Sequence, residues 1–189
     1  MNSSRTSLLE AAIHLAKAGQ LDHIDPPAIC QQAGLSQEVY IAEFSDESAF
    51  CEALHRHHLE TLIGAIAVTT QGAPPGWDRL KRSITVFWDL CVAAIPVRAL
   101  VKNARKDVRV DAKVSGQNRA FVHLLSLEMR GMGWPAYEEV AHLARLMVEG
   151  IAQAEFEARK PLPKLRDAFW GFASAYRSVY EKGQPAAAD

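Results

Sequence analysis

Apolar residues recur along this chain at intervals of three and four, in long runs punctuated by glycine and proline. That period is the signature of amphipathic helices rather than strands. Leu8, Leu9, Ala12, Ile13 and Ala16 form the first run, with Asn2, Ser3 and Ser4 as N-cap candidates and Gly19 as its stop. Pro26 and Pro27 suit the first turn of a short second helix, AICQQA, which Gly34 terminates. Ser36 stands where it would cap a third short helix ending near Phe44. Ser45 or Asp46 then caps a long fourth helix through Phe50, Leu54, Leu62 and Ile66.

The segment QGAPPG, residues 71–76, is the clearest break in the pattern. Beyond it, Trp77 to Ile95 reads as a strongly apolar helix that Pro96 limits. A basic amphipathic segment follows to about Val108, and Asp111 to Met132 reads as a further helix. Glu138 to Lys160 and Leu165 to Tyr180 complete the series, separated by PLPK. No stretch has the alternation of a strand, so the class is all-α. The last two helices carry apolar stripes too wide for one subunit to cover, which points to a partner copy.

Composition narrows the class without naming a chemistry. Hydrophobic residues make up 49% and charged residues 23% of the 189, the balance of an ordinary globular protein with enough chain for a real core. Three cysteines, Cys30, Cys51 and Cys91, form no disulfide framework and read as thiols in a reducing cytoplasm. The N-terminal run is interrupted by Glu10, His14 and Lys17, unlike a signal peptide. No run approaches the about 20 apolar residues of a membrane span.

Charge is distributed unevenly. Residues 1–52 hold two bases, Arg5 and Lys17, against eight acids, a formal charge of −6 that leaves +5 on the remainder of a chain whose total is −1. Part of that excess lies in a row at helical spacing: Arg98, Lys102, Arg105, Arg109 and Lys113. The row fits an anion site, or a solvated face that balances the acidic N-terminal region.

Ala11-Ala12, Leu15-Ala16, Gly19, Ile29-Cys30, Ala33-Gly34-Leu35-Ser36, Phe44 and Phe50 stand at the spacing of a helix-turn-helix. Together with the helical body behind them, they make the chain resemble the TetR family of transcriptional regulators. The resemblance implies a three-helix DNA-reading domain over residues 1–52 and a helical effector-binding and dimerisation domain over residues 53–189. It implies double-stranded DNA as a partner, read by Ser36, Gln37, Val39 and Tyr40 at the start of the third helix. A small effector, anionic or apolar, would sit among the middle helices, with Phe87, Trp88, Cys91 and Phe121 as walls and Arg98 or Asn118 orienting a polar group. Leu143, Met147, Ile151, Phe169, Phe172 and Tyr176 would line a four-helix homodimer interface.

The reading segment departs from the family pattern in sign. Ile41 occupies the usual tyrosine slot, with Tyr40 one place earlier, and Glu47 stands where a phosphate-binding lysine is common. Glu38, Glu43, Asp46 and Glu47 cluster there with no Lys or Arg between Lys17 and Arg56. Because DNA affinity rests heavily on cations that displace counterions, each of these carboxylates opposes docking. A second expectation follows: a protein of the same fold that no longer binds DNA and acts as a small-molecule or lipid sensor, or as a partner of another regulator.

The chain shows no nucleophile elbow, phosphate loop or metal box, so an enzyme is not expected, nor a cofactor. His55, His57 and His58 lack convincing companion ligands, and no metal is expected there.

Overall fold

Helix boundaries in the N-terminal region are set by capping side chains and by glycine. In the computed structural model, which describes residues 3–104 and 121–181, α1 spans Ser4–Lys17. Ser3 accepts a hydrogen bond from the Thr6 amide at its start, and Gly19 at φ 71° follows its end. Asp25 caps α2 (Pro26–Ala33), and Gly34 closes it in the left-handed conformation at φ 67°. That conformation costs a residue with a Cβ roughly 1–2 kcal/mol. α3 is Gln37–Glu43 and α4 is Glu47–Thr70. Of the two cap candidates for α4, Asp46 is used: its Oδ1 accepts from the Ala49 amide at 2.7 Å.

α5 runs Trp77–Ala93 and stops just short of Pro96, which lies in the first turn of α6 (Ile95–Ala104). Residues 121–131 form α7, within the helix expected from Asp111 to Met132; residues 105–120 lie outside the description. α8 is Tyr137–Ala158 and α9 is Pro163–Glu181. All regular structure among the described residues is helical.

The described residues divide into two compact units: 3–67 with 93–104, and 68–92 with 121–181. In the first, Leu8, Ile29, Phe50 and Leu54 have no exposed surface and form the centre of one apolar cluster. Full burial of a side chain such as Phe50 contributes about 1.5–3 kcal/mol. α6 belongs to this unit: Val97, Leu100 and Val101 complete the same cluster, and α6 packs on α1. The three-helix head is therefore roofed by α4 and α6.

In the second unit Leu80, Ile84, Trp88 and Cys91 form the buried stripe of α5. The Trp88 indole N–H donates to the Val148 carbonyl at 3.0 Å, tying α5 to α8. The α8–α9 turn is held by charge. Glu155, fully buried, accepts from Arg166 at 2.6 and 2.9 Å and from the Leu162 amide at 2.9 Å. Arg166 also donates to Asp89 at 2.6 Å and lies 5.3 Å over the Trp88 ring. One guanidinium thus joins α5, α8 and α9.

Candidate nucleic-acid interface

The α2–α3 turn is built for a steep change of direction. The Leu35 amide donates to the Cys30 carbonyl at 3.0 Å and the Gly34 amide to Gln31 at 3.2 Å, so the end of α2 closes on itself. Ser36 then sits in extended backbone at the N-cap of α3, but its hydroxyl makes no capping bond to the helix. That hydroxyl meets Glu38 instead and, as the largest cause, holds its carboxyl below the usual range. Ser36, Gln37, Glu38, Ile41 and Ala42 are exposed and form the outward face of α3; Val39 is half-buried.

Tyr40 departs from the expected reading face. Only 6% exposed, its ring lies 5.3 Å from both Phe44 and Phe50, which themselves meet edge-on at 4.9 Å. Burial pushes the phenol well above its ordinary range, and its hydroxyl is buried without a hydrogen-bond partner. Ile41, 71% exposed, presents the large outward side chain in its place. α3 turns about its own axis to give its aromatic ring to the core. There it packs both on Phe44, at the end of α3 itself, and on Phe50, which lies on α4.

The electrostatics of this face have identifiable causes. Asp25 and Asp46 each cap a helix, and Glu47 lies in the first turn of α4, where carboxylates offset the positive end of the helix dipole. The N-terminus of α4, a place that could receive a phosphate, thus holds the chain's own carboxylates. Arg5, the head's arginine, is engaged at the end of α3. It donates to the Glu43 carbonyl at 2.8 Å, approaches the Glu43 carboxylate at 4.0 Å and lies 4.6 Å over Phe44. His23 pairs with Asp22 at 2.6 Å on an exposed loop, and that hydrogen bond, its largest influence, raises the imidazole and lowers the carboxyl.

The expected effector residues are distributed over both units. Phe87 stacks on Phe121 at 5.1 Å between α5 and α7 in the second unit. Trp88 and Cys91 are buried in the same unit, and Trp88 is fully engaged with Val148, Phe169, Trp170 and Arg166, as a core residue. Arg98 belongs to the first unit, and Asn118 lies outside the described residues. The rest of the basic row beyond Lys102 lies outside them as well. Among the described residues no group of three His, Cys, Asp or Glu side chains is placed to hold a metal ion. No single described helix is long and apolar enough to cross a membrane.

The expected dimer residues separate into two sets. Leu143 and Phe172 are exposed, at 60% and 61%, whereas Ile151 and Phe169 are each 5% exposed and belong to the subunit's own core. Met147 and Tyr176 are half-buried, and the Tyr176 ring packs 5.2 Å from Trp134. Leu165, which opens the apolar stripe of the last helix, is exposed too, as are Leu146 and Val179. On α9 the exposed residues Leu165, Ala168, Phe172, Ala175 and Val179 follow a three-four-three-four spacing, the repeat of a helix seam that meets another helix.

This order of helices, with a helix-turn-helix leading into a helical body, recurs in solved structures. A transcriptional regulator from Rhodococcus sp. Rha1 superposes with a TM-score of 0.68 at 17% identity, over 96% of this chain and 97% of that one. A TetR-like transcriptional regulator from Rhodococcus sp. RHA1 matches with a TM-score of 0.61 at 14% identity, over the same shares of each chain. The chain has the TetR-like fold. No protein-family model matches it, and no curated protein matches its sequence. At these identities the TetR-like likeness is one of architecture, and side-chain chemistry must be read from this chain alone.

Proposed function

We propose that this protein is a TetR-like transcriptional regulator whose DNA-reading module is residues 1–52 and whose effector-binding and dimerisation module is residues 53–189. The observation that carries the reading is the exposed N-terminal end of α3, Ser36 and Gln37, presented by the left-handed turn at Gly34. Val39, half-buried, would contact DNA only at its edge, and Ile41 takes the outward position expected of Tyr40. A homodimer through the exposed rows of α8 and α9 would set the distance between two reading heads, as adjacent major grooves demand. An effector at the Phe87–Phe121 stack would shift that distance by favouring one arrangement of the heads.

A second reading is favoured by the acidic face itself. Arg5 is used internally while Glu38 stands outward, so the protein would sense a small molecule or pair with another regulator without binding DNA. Binding to a random-sequence duplex separates the two. The first reading expects measurable affinity at low salt that falls steeply as salt is added. An absence of retention even at low ionic strength selects the second.

A further inference from the structure

One turn of α5 fastens three other helices with three consecutive residues. The Phe87 ring stacks on Phe121 of α7 at 5.1 Å. The Trp88 indole N–H donates to the Val148 carbonyl of α8 at 3.0 Å, and its rings meet Phe169 and Trp170 of α9 at 5.4 and 5.8 Å. Asp89 Oδ1 accepts from Arg166 Nη1 of α9 at 2.6 Å. Successive side chains are turned by about 100° around a helix, so these three leave one level of α5 in three directions. Phe87 and Asp89 are about 200° apart, which puts the aromatic stack and the ion pair on nearly opposite sides of the helix.

Arg166 makes this turn a hold on the rotation of α9. Its guanidinium reaches Asp89 on α5 and Glu155 on α8, while its neighbour Leu165 opens the exposed row that runs through Phe172 to Val179. The two side chains are about 100° apart, so fixing Arg166 inward fixes the row outward. The Asp89 side chain is 62% exposed. An ion pair with so exposed a partner adds little to stability, and its effect is to hold the guanidinium toward α5.

We infer, resting on the effector site and the dimer proposed for this protein, that the Phe87-Trp88-Asp89 turn couples the two. An effector that parts the Phe87–Phe121 stack displaces α5, and Asp89 passes the displacement through Arg166 to the exposed row of α9. Effector occupancy and dimer strength are then linked, each altering the other by the same factor. Asp89 and Arg166 are positioning residues in this coupling and touch no ligand.

The test is a double-variant cycle on the full chain, read as the dimer dissociation constant in sedimentation equilibrium. Phe121→Leu removes the ring stack but keeps apolar bulk at a half-buried position, and Asp89→Ala shortens an exposed side chain within a helix. Both variants therefore keep the parent's helical content in circular dichroism. Each alone weakens the dimer by about fivefold or more. The double variant stays within about twofold of Asp89→Ala, because without the ion pair the stack no longer reaches α9. Independent losses of packing would multiply instead, so a double variant weaker than that overturns the coupling. Parent affinity in either single variant overturns it as well and leaves the dimer reading intact. A parent chain that is monomeric at every concentration removes the dimer reading and the coupling with it.

Discussion

The two units treat charge and apolar surface in opposite ways. The first shows its carboxylates to solvent and keeps its aromatic rings, Tyr40, Phe44 and Phe50, inside. The second keeps a carboxylate, Glu155, at zero exposure and leaves Leu143 and Phe172 outside. A face rich in charge needs only water, whereas an exposed apolar row on paired helices is stable only against another apolar surface. Under the proposed function, the contrast places self-association on the second unit and leaves the first a polar surface. Ile41 is the exception in the head, an apolar side chain amid acids.

The strongest test of the contrast is to remove the buried charge. Glu155→Ala leaves Arg166 and the Leu162 amide without their main acceptor, and unfolding in urea should show a loss of about 3–5 kcal/mol. A loss below about 1 kcal/mol would mean that solvent reaches the node. Next in size is Phe172→Asp, which places a charge in the α9 row. Light scattering should show the proposed dimer dissociating while the helical content is kept. If mass is unchanged, the row is not the interface.

Acid probes the first unit. His58 is lowered from 6.5 to about 4, first by burial and then by Arg98, Lys17 and His57. Between those values the unfolded chain binds more protons than the folded one, so stability falls as pH drops from 6.5 toward 4. In His58→Gln that part of the pH profile should flatten in chemical-denaturation curves recorded across the range.

Tyr40→Phe removes a buried hydroxyl that has no partner, and should raise stability by about 1 kcal/mol with DNA affinity unchanged. Reduced DNA binding without a gain in stability would return Tyr40 to the reading face. The smallest effect is at Ala136, which holds φ 49° before α8. Ala136→Gly should raise the melting temperature slightly, by at most about 1 kcal/mol of stability.

Much of the head was legible because its signals are local. Gly34, Pro26 and Asp46 fix backbone or caps within a few residues of themselves, and each acts where the sequence placed it. The acidic bias was equally plain, although its partial cause, carboxylates serving helix N-termini, appears only once the helices are drawn. The candidate site was less legible. Tyr40 and Ile41 are neighbours of similar bulk, and packing against Phe44 and Phe50 accompanies the inward turn of Tyr40. Ile151 and Phe169 shared an apolar stripe with Leu143 and Phe172, and periodicity ranked all four alike.

The sequence by itself determined nearly every helix, most of their ends, the all-helical class and the separation of charge between the N-terminal region and the rest. These depend on interactions within one or two turns. Tertiary structure alone decided how each helix is rotated about its axis, joined α6 to the head's core and brought Glu155, Arg166 and Asp89 to one point. Successive side chains differ by about 100° around a helix, so a wide apolar stripe fits several rotations. The choice among them belongs to side chains far away in sequence.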